Sequence, residues 1–161
     1  MRRFVPSLFK TKIGIYVDKH SLHAEYKQIM KDVHPDKWKS SSEHERLTSD
    51  INTFYYMIKN DVKRCTYLLE EKGYSLHNNM PHFTIDNPIL DECLFIGEEL
   101  ETMTDHKELT GLLSRVQEQK KISMDTMHTE WTNGRYGSCL PYLHNLSYLD
   151  TLEGRIRRKI L

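Results

Sequence analysis

The feature that most constrains this chain is a pair of matching apolar repeats with a proline between them. Leu22, Tyr26, Ile29 and Val33 recur at spacings of four, three and four, and Leu47, Ile51, Phe54 and Ile58 recur at the same spacings. That period places each set on one face of an α-helix. Pro35 interrupts the pattern in Val33-His34-Pro35-Asp36-Lys37. Proline disfavours helical geometry at the residue before it and has no N–H to donate, so the first helix is expected to end near His34. Asp18 suits the N-cap of that helix and one of Ser40 to Ser42 that of the second, because their side-chain oxygens accept the orphan N–H groups of an opening turn. The two stripes then face each other across an antiparallel hairpin. A short piece around Leu8 and Phe9, and a helix carrying Val62, Cys65, Leu68 and Leu69, are expected to cover its ends.

Beyond the hairpin, Gly73, Asn78, Asn79, Pro81, Asn87 and Pro88 break any helical period. This marks a first domain over residues 1–73, a linker over 74–87 and a second domain over 88–161. The second domain reads as three helices, roughly 88–104, 107–131 with a weaker period, and 141–160. Tyr142, Leu146, Leu149, Leu152, Ile156 and Ile160 write the last of them. The chain is expected to be all-α, and 161 residues with 38% hydrophobic content suffice for two small cores.

No stretch approaches the ~18 apolar residues of a membrane span, and residues 1–16 lack the apolar centre of a secretory signal, so a soluble protein is expected. Arg2, Arg3, Lys10 and Lys12 precede the first acid, Asp18. They read either as a short organellar targeting segment or as part of the fold, and the second reading is preferred. Cys65, Cys93 and Cys139 include no C-x-x-C pair, which fits a reducing compartment and points away from a disulfide framework or a cysteine zinc site. His20-x-x-His23 alone is too little for zinc. No phosphate-binding glycine loop and no nucleophile elbow appears. Net charge is zero, but residues 1–73 hold 14 Lys and Arg against 10 Asp and Glu, while residues 74–161 hold 9 against 13. Such a split argues against a nucleic-acid binder and suggests two units meeting different partners. The basic run Arg155, Arg157, Arg158 and Lys159 is explained by the negative end of its helix dipole.

His34-Pro35-Asp36-Lys37 between two amphipathic helices resembles the signature of J-domains. The resemblance extends to the HscB/Jac type of J-protein, which serves iron-sulfur cluster assembly. Ser49-Asp50-Ile51-Asn52-Thr53-Phe54-Tyr55 is similar to that type's Ser-x-Ile-Asn-x-Ala-Tyr/Trp segment, and Arg64-Cys65-Thr66-Tyr67-Leu68-Leu69 with Gly73 to its Arg-Ala-x-Tyr-Leu-Leu-x-x-x-Gly. Glu98-Glu99-Leu100 and Tyr148-Leu149-Asp150-Thr151-Leu152 match its second domain in order. Cys65 and Phe54 depart from its usual small residues, which implies local repacking. An N-terminal cysteine metal module found in some relatives is lacking. The implied fold is an N-terminal J-domain, a helical hairpin with short flanking helices, followed by a C-terminal three-helix bundle.

On the first long helix, Lys27 and Lys31 fall on one flank and Glu25 and Asp32 on the opposite flank. The resemblance implies that this basic edge, with His34, Pro35, Asp36 and Lys37, meets the nucleotide-binding part of a DnaK-type ATPase chaperone. Rim charges steer encounter, and a desolvated Asp36 paired with a basic group biases the partner between its two states.

On the helix over 88–104, Ile89, Cys93, Ile96, Leu100 and Met103 form a core stripe. Leu90 and Leu94 stand roughly 100 to 140° round from Ile89, beside Glu98 and near Asp91 and Phe95. They are surplus to the core stripe and serve either to widen the buried face or to bind a partner. The resemblance implies the second, with Leu90, Leu94, Glu98 and Tyr148 matching positions that bind an iron-sulfur scaffold protein of IscU type. From Asp86 to Asp105 there are seven acids and no Lys or Arg, which suggests an apolar patch with an acidic rim. Gly97 costs ~1 kcal/mol mid-helix relative to Ala, which suggests a close approach.

The reading is thus a co-chaperone with no covalent chemistry, metal or cofactor of its own. It would stimulate a DnaK-type ATPase and deliver an IscU-type scaffold to it, in a mitochondrion or mitochondrion-derived organelle, with the cytoplasm as alternative. A general J-domain co-chaperone for other clients, or a helical adaptor without chaperone activity, are the alternative functions.

Overall fold

A computed structural model describes residues 5–33, 42–76 and 88–161, except for the side chains of 88–90. Within them lie six α-helices: α1 (Lys19–Asp32), α2 (Ser42–Lys59), α3 (Asp61–Glu71), α4 (Pro88–Thr102), α5 (His106–Thr132) and α6 (Leu140–Ile160). Short 3-10 turns occupy Val5–Leu8 and Tyr136–Cys139. The all-α expectation holds. By compactness the chain divides into two units, Met1–Arg64 and Cys65–Leu161, a division that falls inside α3.

In the first unit, Asp18 caps α1 by accepting hydrogen bonds from the His20 and Ser21 amides at 2.9 and 3.1 Å. α1 and α2 run antiparallel: Val33 lies by His44, Tyr26 by Asn52, and Lys19 by Asp61. Leu22, Ile51, Phe54 and Ile58 are fully buried, whereas Ile29, Val33 and Leu47, nearer the loop end, are only half-buried. The middle of the hairpin is aromatic. Tyr26 stacks on Tyr55 with centroids 3.9 Å apart, and the Tyr26 hydroxyl donates to Asn52 at 2.8 Å. Val5, Phe9 and Ile15 are buried, so the basic leading segment does take part in the fold from residue 5 onward.

Arg64 locks this unit. Its side chain is 1% exposed, yet it donates to the carbonyls of Ile15 at 2.7 Å, Ile58 at 2.9 Å and Gly14 at 3.1 Å, and to the Asp61 carboxylate at 2.8 Å. A guanidinium presents donors in a fixed fork, and here the fork is filled, which is what makes burial of the charge tolerable. Burial works to raise the Asp61 pKa, but hydrogen bonds from Lys19 and Arg64 outweigh it and hold the carboxyl below its ordinary value.

The second unit is built on three long helices. Cys93, Ile96 and Leu100 of α4, Leu109, Leu112 and Val116 of α5, and Leu149, Leu152 and Ile156 of α6 form one buried cluster. The weaker period of α5 has a cause. Between Val116 and Ser123, the half-buried Lys120 approaches α6, where its ammonium donates to Asp150 at 2.5 Å and Glu153 at 2.8 Å. An ion-paired lysine stem substitutes there for an aliphatic side chain.

α3 and α5 both end on a glycine with positive φ, Gly73 at 84° and Gly134 at 74°, each followed by a residue whose amide bonds back five residues. Tyr74, first residue of the expected linker, packs within this unit near Tyr136 and over Gly137. The two departures from the resembled segments are also accommodated. Phe54 packs on Phe9, with centroids 5.3 Å apart, and the buried Cys65 thiol lies 4.0 Å from the Met124 sulfur. At the far end of α6, Lys159 donates to the carbonyls of Leu100 at 2.6 Å and Met103 at 3.2 Å, closing the C-terminus of α4. The terminal basic run therefore serves α4 as well as its own helix.

Candidate functional site

The residues expected to meet a chaperone fall on α1 and, in sequence, between α1 and α2. Lys27 and Lys31 are exposed on α1. Their opposite flank is occupied otherwise: Glu25 accepts from the Lys10 and Thr11 amides at 2.9 and 3.0 Å, and Asp32 accepts from Gln28. The separation of charge on α1 is thus reinforced by contacts that use up the acids. His34, Pro35, Asp36 and Lys37 lie outside the described residues, as do Ser40 and Ser41.

What is described is the base of that loop. Val33 closes α1 by bonding to the Ile29 carbonyl, and the His44 Nε2 donates to the Val33 carbonyl at 2.5 Å. This contact requires the proton on Nε2, and it ties the first turn of α2 to the last residue before His34. An open cleft of about 550 Å³ runs along α2 from His44 past Thr48 and Asn52 to Tyr56. His44 went unread in the sequence, although its spacing of three and seven from Leu47 and Ile51 is a usable signal for the inner α2 face.

The second candidate surface is on α4. Leu94 is 48% exposed and Phe95 54% exposed, so the apolar groups surplus to the core stripe do face outward. The side chain of Leu90 lies outside the description. Asp91 and Glu98 are also exposed, on the outer face between Leu94 and Phe95 and about 10 Å apart along the helix. The acids around them divide by role. Glu92 and Glu99 grip Arg115 of α5 at 2.7 and 3.0 Å, Glu101 pairs with Arg155, and Asp105 caps α5. Among the described residues, Asp91 and Glu98 are left without an ion pair, so the acidic rim reduces to two carboxylates bracketing two apolar side chains.

Leu94 and Phe95 lie on different flanks of that face. Arg115, held by Glu92 and Glu99, places its guanidinium 5.8 Å from the Phe95 ring centroid. The hydrogen bond to Glu92 leads the effects that raise the Arg115 pKa, against the opposing effect of burial. Leu94 instead shares its flank with Gly97, over which Tyr148 of α6 lies. Tyr148 is half-buried and packs against the core cluster, so it offers part of a ring rather than a free side chain. Its hydroxyl explains Gly97: a Cβ there would stand 3.2 Å from the Tyr148 oxygen. Arg115 went unread in the sequence, although a cation opposite an acid-rich helix is a usable signal.

Chemically, what is described of these surfaces offers exposed charged and apolar groups suited to binding. Among the described residues, no three His, Cys, Asp or Glu side chains gather to hold a metal ion. Burial pushes the Cys93 and Cys139 thiols up to about 11, which keeps them protonated and unreactive at neutral pH. No described helix is long and apolar enough to cross a membrane.

No family model matches the chain. In sequence it is 25% identical over 159 residues to a co-chaperone protein HscB homolog of Vibrio parahaemolyticus, covering 92% of each chain. In structure it is similar to the human co-chaperone protein HscB, with a TM-score of 0.83, 22% identity and coverage of 96% of this chain and 81% of that one. It is likewise similar to the Jac1 co-chaperone of Saccharomyces cerevisiae, with a TM-score of 0.74, 19% identity and 97% of each chain covered. The HscB/Jac-type resemblance read from the motifs therefore extends along nearly the whole chain, in fold against the solved HscB and Jac1 structures and in sequence against an HscB homolog, and it supports a J-protein co-chaperone role.

Proposed function

We propose that this protein binds an iron-sulfur scaffold of IscU type and delivers it to a DnaK-type chaperone, whose ATPase it stimulates. The observation that carries the reading is the similarity to an HscB homolog over 92% of the chain, which spans both candidate surfaces. In this reading residues 1–73 act as the J-domain, 74–87 as linker and 88–161 as the scaffold-binding domain. Lys27 and Lys31 steer the encounter with an acidic partner face, and the loop residues His34, Pro35, Asp36 and Lys37 make the contact that shifts the chaperone between states. Leu90, Asp91, Leu94, Phe95, Glu98 and Tyr148 receive the scaffold, with apolar groups supplying affinity and the two carboxylates favouring a basic rim on the partner. A mitochondrion or mitochondrion-derived organelle is the proposed compartment, testable by fractionation of the native cell.

The decisive experiment is ATPase stimulation of a DnaK-type partner by wild type, His34→Gln and Asp36→Asn. Loss of stimulation with unchanged helix content is expected, and undiminished stimulation by either variant would overturn the J-domain role. Leu94→Ala with Tyr148→Ala is expected to remove scaffold binding while stimulation in the absence of scaffold persists. If stimulation is seen but the scaffold does not bind the wild type, the protein is a J-domain co-chaperone for other clients.

A further inference from the structure

We propose that Gly97 is a positioning residue for the scaffold surface: its missing side chain forms a notch on α4 that seats the hydroxyl end of Tyr148 and so fixes the ring beside Leu94. The proposal rests on the scaffold-binding reading of Leu94 and Tyr148, and goes beyond it by assigning a role to a residue that offers the partner no side chain.

Three glycines lie inside the long helices, and they differ in what surrounds them. A Cβ added at Gly111 or Gly154 would meet nothing within 4 Å, whereas one at Gly97 would meet the Tyr148 oxygen at 3.2 Å and Leu152 Cδ2 at 3.8 Å. The second distance is ordinary van der Waals contact. The first is tighter than side-chain carbons normally tolerate, so the obstruction comes from a single atom, the phenolic oxygen. A tyrosine ring has two rotatable bonds and cannot withdraw its tip without swinging the whole ring. Tyr148 is in addition wedged against the core cluster, which restricts the direction of that swing. A methyl group at position 97 therefore displaces the ring relative to the exposed Leu94, three residues earlier on the same flank.

Because glycine is less favourable than alanine inside a helix, the two effects of Gly97→Ala have opposite signs. Helix propensity is gained, while the pose of Tyr148 is lost. Gly111→Ala and Gly154→Ala gain propensity with nothing to displace.

The test is a four-member cycle: wild type, Gly97→Ala, Tyr148→Phe and the double variant. Affinity for purified IscU-type scaffold protein is measured by calorimetry, and thermal stability on the same samples. Gly97→Ala is expected to weaken binding by about three- to tenfold in the wild-type background, as partial loss of an interface anchor does. In the Tyr148→Phe background, where the obstructing oxygen is gone, the same substitution should change affinity by less than about twofold and raise the melting temperature as Gly111→Ala and Gly154→Ala do. An equal loss of affinity in both backgrounds would overturn the notch, since position 97 would then act without the hydroxyl. Leu94→Ala separates the two levels of the argument. If it weakens binding while Gly97→Ala does not, the notch fails and the scaffold surface stands; if Leu94→Ala and Tyr148→Ala both leave affinity unchanged, the surface itself is wrong and the notch falls with it.

Discussion

The two units hold their helices together by different means. In Met1–Arg64 the aliphatic seam is short, fading to half-burial at Ile29, Val33 and Leu47, and much of the cohesion is polar and aromatic. Arg64 ties α3 to the segment before α1, Tyr26 stacks on Tyr55, and His44 ties the first turn of α2 to the Val33 carbonyl. In Cys65–Leu161 one continuous aliphatic cluster runs between three helices, and charged residues clamp it from outside: Arg115 to Glu92 and Glu99, Lys120 to Asp150 and Glu153. A seam made of a few directional contacts concentrates risk in single residues. A seam made of many apolar contacts spreads it. Along the described part of the hairpin the apolar seam thins to half-burial at Ile29, Val33 and Leu47.

The largest expected effect is at Arg64. Arg64→Met should destabilise the first unit by about 3 to 5 kcal/mol, since it strands the Gly14, Ile15 and Ile58 carbonyls and leaves Asp61 with Lys19 alone. Denaturant unfolding measures the loss, and hydrogen exchange should place it first in α1 and α2. Next comes Leu149→Ala in the aliphatic cluster, expected to cost about 3 kcal/mol as a buried leucine truncation. If it costs more than Arg64→Met, the claim that the first unit concentrates its stability in one residue is wrong.

Tyr26→Phe tests the same contrast more gently. It keeps the stack on Tyr55 and removes only the hydrogen bond to Asn52, so a loss of about 1 kcal/mol is expected. The smallest effect concerns acid. Burial works to raise the Glu153 pKa, but hydrogen bonds from Lys120, Arg157 and Gln117 bring it down from 4.5 to about 2. A carboxylate with a depressed folded pKa contributes stability above its unfolded value and loses it as pH falls through the folded one. The clamp should therefore weaken between about pH 4.5 and pH 2. Glu153→Gln should flatten the stability profile in that window and leave stability above it modestly reduced, as followed by melting temperature against pH.

The expected helices match the observed ones closely, and residues such as Leu22, Ile51, Leu100 and Ile156 lie buried where their spacing put them. The outward exposure of Leu94 and Phe95 was also legible, because helical period reports which residues a core stripe leaves over. Lys120 shows where such reading weakens. It interrupts the stripe of α5 and looks like a surface residue, yet it is half-buried because α6 brings Asp150 and Glu153 to it.

By itself, then, the sequence determined the helices, their inner faces, the end of α1 ahead of Pro35 and the motifs that mark the HscB/Jac type, because periodicity, capping and proline geometry act within a few residues of chain. Only the tertiary structure decided how the six described acids of α4 and its C-terminal end divide among pairing, capping and the exposed rim, why Gly97 can sit in mid-helix, and what Val33 bonds to at the end of α1. Those outcomes depend on side chains from α2, α5 and α6 that lie far away in sequence. A charge or a missing Cβ has no defined partner until packing brings one within reach.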